Sequence, residues 1–182
     1  MNLPPYDKMK IRQENGKTMV LDILRRRYVR LTPEEMVRQC FINFLVEYKG
    51  YPTALIGNEV QLSIGEKKLR CDSVLYDRDM QPRMIMEYKA PDIEITEKVL
   101  HQILSYNTQL NVKYLMMSNG TQHVCLRYND DSCRWEFMPE IPNYTDLWWF
   151  NTNSIKISNK LLLTDNNYQS YKKKKKNKNI KN

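Results

Sequence analysis

From Met36 to Tyr48 apolar residues recur every three or four positions, from Asn58 to Lys89 they alternate or cluster in short runs, and beyond Glu94 the helical period returns. A chain that switches from a 3.6-residue period to a two-residue period and back must fold in layers, with helices laid against a sheet. The first helical stretch is marked at both ends. Thr32 suits an N-cap, Pro33 the first helical position and Glu35 the third position of a capping box, while Gly50 suits the stop. The pattern predicts a helix over 32–49, then strands over 58–64, 69–76 and 83–89 separated by the turn at 65–68 and the polar loop 77–82. A second helix is expected over 94–110, with Ile95, Val99, Ile103 and Leu104 on one face. Strands over 112–117, 122–128 and 134–138 complete the chain's regular part. Ahead of all this, residues 1–31 read as a β-rich basic region with a turn at Asn15-Gly16. The order predicts an α/β fold of the mixed-sheet, α+β kind: helix, three-strand meander, helix, strand, and further C-terminal strands.

Charge divides the chain in two. Residues 1–150 carry 20 Lys and Arg against 20 Asp and Glu, whereas residues 151–182 carry 9 against 1, so the whole formal charge of +8 sits in the tail. One domain over 1–150 and an Asn- and Lys-rich, disordered tail over 151–182 follow from this contrast. Overall basicity says nothing about what the body binds. No stretch of the sequence is apolar enough for a membrane helix, and the first 30 residues are charged throughout, so a cytoplasmic protein without a membrane partner is expected. The cysteines at 40, 71, 125 and 133 lack the spacing of a zinc or redox motif and read as reduced thiols. His101 and His123 are isolated and read as structural. Gly16-Lys17-Thr18 imitates the end of a phosphate-binding loop, but Ile11 stands where the leading glycine is needed. Trp148, Trp149 and Phe150 are expected to pack back on the body.

The chemistry-bearing segment is Asp72 with Glu87-Tyr88-Lys89. Residues two apart on a strand share a face, so Glu87 and Lys89 point together. If the hairpin pairs symmetrically about the Asp79–Met80 bond, Asp72 falls opposite Glu87, with Cβ atoms about 5 Å apart. Two carboxylates so placed repel unless a cation lies between them. Oxygen donors of this kind suit a hard divalent ion such as Mg²⁺ (or Mn²⁺), and an adjacent ammonium can orient water or balance charge on a phosphate. Gln102 and Tyr106, one helical turn apart, share a face next to the apolar stripe of the second helix. The bland alternatives are an ion-pair ladder for Asp72, Glu87 and Lys89, a polar helix shoulder for Gln102 and Tyr106, and a purely capping Glu35.

Taken together, Asp72, Glu87-x-Lys89 and Gln102-x-x-x-Tyr106, following Thr32-Pro33-Glu34-Glu35 with Arg38 a turn on, resemble the PD-(D/E)XK nuclease superfamily. Within it the sequence is similar to the N-terminal nuclease domain of type I restriction enzyme R subunits, in a short stand-alone form, over about residues 20–145. The stretches 31–39, 51–52, 84–91 and 114–120 carry that likeness. The resemblance implies a restriction-endonuclease-like core that hydrolyses DNA phosphodiesters with a divalent metal. Asp72 and Glu87 would be metal ligands together with the Tyr88 carbonyl, and Lys89 the catalytic lysine. Gln102 and Tyr106 would support the site or touch DNA, and Glu35 would add an acid to the metal site. Cys71 stands where the superfamily has proline, and the R subunit's helicase motor is expected to be supplied elsewhere; the resemblance implies DNA and partner subunits of a restriction-modification system as partners. A second class of function keeps the fold without cutting, as a DNA-binding or accessory module. A third, nucleic-acid coating through the lysine tail, would depend on residues 151–182. Oligomeric state is not legible in the sequence.

Overall fold

A computed structural model describes residues 8–64 and 67–149, the side chains of 62–64, 67–69, 102, 105, 106, 108, 109 and 149 excepted. Its order is β1 (Ile11–Glu14), β2 (Lys17–Asp22), β3 (Arg27–Arg30), α1 (Pro33–Lys49), β4 (Ile56–Ile64), β5 (Lys67–Tyr76), β6 (Pro82–Tyr88), α2 (Glu97–Leu110), β7 (Tyr114–Ser118), β8 (His123–Asn129), β9 (Arg134–Phe137) and the single turn α3 (Asp146–Trp149). This is a mixed α+β fold, as the alternation of periods predicts. The expected tail over 151–182, and Phe150, lie outside the described residues.

Helix α1 forms where its caps dictate. The Thr32 hydroxyl accepts the Glu35 N–H at 3.1 Å, and Gly50 takes a left-handed conformation at φ 72° while its N–H donates to the Leu45 carbonyl. Helix α2 begins at Glu97 rather than Glu94. Thr96 is still extended (φ −93°, ψ 170°), and the Ile95 N–H donates to Gln122 Oε1 at 3.3 Å instead of into a helical ladder. The helix ends at Asn111 in the left-handed region, helped by Asn107 Oδ1, which accepts the Val112 N–H at 2.6 Å.

The central sheet has the order β4-β5-β6-β7-β8-β9, with β6 and β7 parallel and every other pair antiparallel. A parallel pair needs a crossover, and α2 supplies it. The middle strands β6 and β7 have apolar cores on both sides, which accounts for the unbroken Met84-Ile85-Met86 and Leu115-Met116-Met117 runs. On one side Phe41, Leu45, Leu75, Met84, Met86, Tyr88 and Met116 pack with α1, and on the other Cys71, Val74, Ile85, Leu115 and Met117 pack with Ile103 of α2. Trp148 packs at the margin of the α1-side core, with the Arg83 guanidinium 4.9 Å above its ring; the Trp149 side chain lies outside the described set.

The β-rich start of the chain is a sheet of its own. Strands β1, β2 and β3 pair antiparallel, with Asn15 and Gly16 both at positive φ (48° and 70°) in the β1–β2 turn. One face of β2 carries Val20 and Asp22, both with no exposure, towards the body. Asn58 of β4 donates to Asp22 at 3.2 Å, and Ile23 and Leu24 pack on the α1-side core.

Candidate functional site

The β5–β6 ladder pairs Ser73 with Met86, Val74 with Ile85 and Leu75 with Met84, the register expected of a hairpin symmetrical about Asp79–Met80. Asp72 and Glu87 come next in that register, beyond the last pair, and each bonds to the other's strand. Asp72 Oδ2 accepts the Tyr88 N–H at 2.9 Å, and the Asp72 N–H donates to the Glu87 carboxylate. Side chains thus take over at the end of the ladder, where β6 runs out and the Lys89 N–H turns to the Ser118 carbonyl at 2.9 Å.

The backbone is special on the other side of Asp72 as well. The β4–β5 ladder runs through Asn58–Ser73 and Val60–Cys71 without a Glu59–Asp72 pair, and Glu59 has φ 53°. A non-glycine residue in the left-handed region is uncommon and needs support from its surroundings. Cys71 and Val74, three residues apart, both lie in the α2-side core, so strict alternation fails between them. Asp72 is therefore free of the simple face assignment that a regular strand would impose, and its carboxylate meets α1.

There it finds Arg38. Arg38 Nη2 donates to Asp72 Oδ1 at 2.9 Å, Arg38 Nη1 donates to Glu35 Oε2 at 2.6 Å, and Glu34 Oε1 lies 3.7 Å from Nη2. Arg38 is only 4% exposed, and its guanidinium carbon is 5.6 Å from the Tyr88 ring centroid. Burial disfavours its charge, but Asp72 and Glu35 outweigh that and raise its pKa above the usual arginine value. A second arginine repeats the arrangement. Arg25 donates to Glu35 Oε1 at 3.0 Å, pairs with Glu59 at 3.0 Å and is bound to Asp22. Burial works against the ionised Asp22, yet the Arg25 and Leu24 donors prevail and hold its pKa below the ordinary carboxylate value.

Glu87 behaves differently. Its Oε1 accepts from Lys89 Nζ at 3.0 Å, and it is 4% exposed. Burial first, and the charge of Asp72 second, raise its pKa to about 7 against the opposing pull of Lys89. Burial disfavours the Lys89 charge, but the Glu87 carboxylate more than compensates, so its pKa lies above the ordinary lysine value and it remains an ammonium. Burial, reinforced by the charges of Glu87 and Asp72, pushes the Cys71 thiol up to about 12, which leaves it inert as a nucleophile.

The structure thus brings together Asp72, Glu87 and Lys89. Glu35 joins them only through Arg38. Its carboxylate also accepts from Gln39 Nε2 at 2.8 Å, so the capping box is half-formed: the hydroxyl caps the helix while the acid serves the two arginines. Among the described residues no three acidic, histidine or cysteine side chains gather closely enough to share one ion. Gln102 and Tyr106 lie one turn apart on α2, and their side chains are outside the described set. His123 is structural, its Nδ1 2.8 Å from the Ser118 hydroxyl, and His101 is an exposed neighbour of Glu97. Sequence reasoning missed Arg25 and Asp22 and gave Arg38 no task. The signal for Arg38 was its spacing of three and four from Glu35 and Glu34; nothing local marks Arg25.

Residues 33–142, more than half of the chain, match the family model described as type I restriction enzyme R protein N terminus (HSDR_N). The chain belongs to this family. Among solved structures it is similar to a fragment described as an HsdR subunit of a type I restriction enzyme from Vibrio vulnificus YJ016, with a TM-score of 0.48 and 17% identity. That likeness covers 65% of this chain and 25% of the fragment, so this HSDR_N member spans about a quarter of the neighbour's length. No curated protein matches the chain. No helix among the described residues is long and apolar enough to cross a membrane.

Proposed function

We propose that this HSDR_N-family chain is a metal-dependent DNA nuclease of the PD-(D/E)XK kind, with Asp72, Glu87 and Lys89 as its catalytic residues. The observation that carries the reading is the apposition of two buried carboxylates beside a lysine at the end of β6. The donor set fits a hard divalent ion: both groups offer oxygen, and the Glu87 pKa, raised first by burial and then by the Asp72 charge, marks a carboxylate whose ionised form such an ion would favour. Asp72 and Glu87 would hold Mg²⁺ (or Mn²⁺), with Glu35 as an outlying acid that reaches the ion only if Arg38 and Arg25 release it. When bound, the ion supplies Lewis-acid polarisation and a reactive water at neutral pH.

The chain's own groups do the rest. Lys89, kept protonated by Glu87, is suited to hold a phosphate oxygen and balance the charge that builds there, rather than to accept a proton. Arg38 keeps Asp72 oriented through Oδ1, and the Tyr88 N–H fixes Oδ2. Gln102 and Tyr106 of α2 are assigned a supporting or DNA-contacting part. Within a restriction-modification system, the partners would be DNA and the subunits that supply a motor or sequence recognition, in the cytoplasm.

Nicking of supercoiled plasmid in Mg²⁺ tests the assignment. Asp72→Asn and Lys89→Ala are each expected to lower the rate by about 100-fold or more, the scale of losing one transition-state-stabilising group. Cleavage at the wild-type rate by both variants overturns the site. The non-catalytic alternative has one observation in its favour: Arg38 and the Tyr88 N–H already occupy both oxygens of Asp72. Calorimetric titration with Mn²⁺ separates the two readings, because a folded protein that binds no divalent ion supports the accessory module.

A further inference from the structure

The balance of charge over residues 1–150 conceals a separation. Residues 8–31 hold Lys8, Lys10, Arg12, Lys17, Arg25, Arg26, Arg27 and Arg30 against Glu14 and Asp22, a net of +6, whereas residues 32–150 hold 12 basic against 17 acidic residues, a net of −5. The positive part is the three-stranded sheet and its turns; the negative part contains the carboxylate site.

Register shows where those charges point. Arg12 pairs with Met19 and Met19 with Arg30, so one row across β1, β2 and β3 ends in a guanidinium on each side. Lys10 and Lys17 have the same parity as Arg12 and Met19 and share that face. The opposite face carries the fully buried Val20 and Asp22, so the basic face is open to solvent at Arg12, Lys17 and Arg30, while its Lys10–Leu21 end borders a cavity shared with Ile23 and Asn43. Lys10, Arg12, Lys17 and Arg30 are all exposed. The Arg12 guanidinium lies 3.8 Å from the centroid of the Tyr28 ring, which holds it against the sheet surface.

These cations are also short of acids. Arg12 pairs with Glu14 at 2.6 Å, but among the described residues no acid lies within ion-pair distance of Lys10, Lys17 or Arg30. Arg25 and Arg38 are the opposite case, the first half-buried and the second buried, and both surrounded by carboxylates. The exposed set spans two strand spacings, about 10 Å, with long side chains on a flat support. It also leads towards the site, because the β2–β3 turn that follows the basic face contributes Arg25 to Glu35 and Glu59 while Arg26 and Arg27 stay exposed.

We infer that the outer face of the β1–β3 sheet, through Lys10, Arg12, Lys17 and Arg30, is the surface on which the phosphate backbone of duplex DNA lies while a phosphodiester is presented to Asp72, Glu87 and Lys89. The inference rests on the nuclease reading for what is presented, and on charge complementarity for where the duplex sits. A row of exposed cations with one acid among them releases counterions from DNA on contact, whatever the base sequence. Contacts of this kind position a duplex without reading its sequence.

The test is fluorescence anisotropy of a labelled duplex with the full chain, in Ca²⁺ to suppress cleavage, across roughly 50 to 200 mM salt, the range over which backbone contacts are resolved. The variant Lys10→Gln/Arg12→Gln/Lys17→Gln/Arg30→Gln should bind at least about tenfold more weakly, and its log K against log salt slope should shrink by about 3.6, since each of the four phosphates neutralised by the wild type accounts for about 0.9. Arg12→Lys/Arg30→Lys keeps the charge and should keep the slope, which separates electrostatics from damage to the sheet; circular dichroism checks the fold of both. A wild-type slope in the quadruple variant overturns the inference, and a slope that vanishes instead on neutralising Lys172 to Lys176 assigns DNA to the tail. Absence of duplex binding by the wild type also overturns it. Failure of the nuclease reading shows separately, as plasmid left intact by the wild type in Mg²⁺ or nicked at the wild-type rate by both Asp72→Asn and Lys89→Ala.

Discussion

The two sheets of this protein treat arginine in opposite ways. On the three-stranded sheet, Arg12 and Arg30 lie on an open surface, and Arg30 has no acid at ion-pair distance among the described residues. Beneath α1, Arg25 and Arg38 are enclosed by Asp22, Glu35, Glu59 and Asp72. The difference follows from solvation. A charge taken out of water needs partners with good geometry, and a charge left in water needs none. The enclosed set is therefore committed to the architecture, joining β2, α1, β4 and β5 through side chains, while the exposed set, apart from the surface pair of Arg12 with Glu14, is uncommitted and available to a polyanion.

The comparison breaks most readily at Arg38. Arg38→Met removes the donors to Asp72 and Glu35 and leaves buried carboxylate oxygens without a counter-charge, so a loss on the order of 3–5 kcal/mol in unfolding free energy is expected by urea denaturation. A loss below about 1 kcal/mol would mean that the network is solvated and that the contrast between the sheets is false.

Glu87 gives the next largest effect, and it depends on pH. Its pKa is near 7 in the folded protein against an ordinary 4.5, so the folded state holds this proton more tightly than the unfolded chain does. Stability from this group is complete below about pH 4.5 and is lost as pH rises through about 7. Glu87→Gln should flatten that decline, making the variant more stable than wild type at pH 8 by roughly 1–3 kcal/mol and no more stable at pH 4. Thermal melts across pH, with and without Mn²⁺, sharpen the point. An ion held by Asp72 and Glu87 favours the ionised form and should flatten the wild-type profile too.

The smallest effect belongs to the exposed sheet. Arg30→Gln is expected to change stability by less than about 0.5 kcal/mol, as for surface charges without special geometry. A large loss there would show that Arg30 serves the fold after all.

Much of the scaffold was legible before any coordinates. Thr32 and Gly50 bound α1 because capping is a local transaction between a side chain or a left-handed backbone and orphaned main-chain groups. The β5–β6 register followed from the hairpin, and the common side of Glu87 and Lys89 from the pleat; their contact at 3.0 Å agrees with that. Helical periodicity continues upstream through Ile95 and so places the start of α2 three residues too early, while a bond from the Ile95 N–H to the distant Gln122 side chain holds that segment out of the helix. The capping role of Glu35 was half right, since its carboxylate is claimed by arginines that no local pattern ties to it.

The sequence by itself determined most of the elements, their order, and the common side of Glu87 and Lys89 at the end of β6, because caps, turns and alternation act over a few residues. Only the tertiary structure decided which cation meets Asp72, and that the basic start of the chain forms a separate sheet with its charges facing outward. Arg38 and Asp72 are 34 residues apart, and their meeting depends on how α1 docks over the ladder break at Glu59. Long-range pairing of buried charges is set by packing and desolvation, and neither is written in the spacing of neighbours along a chain.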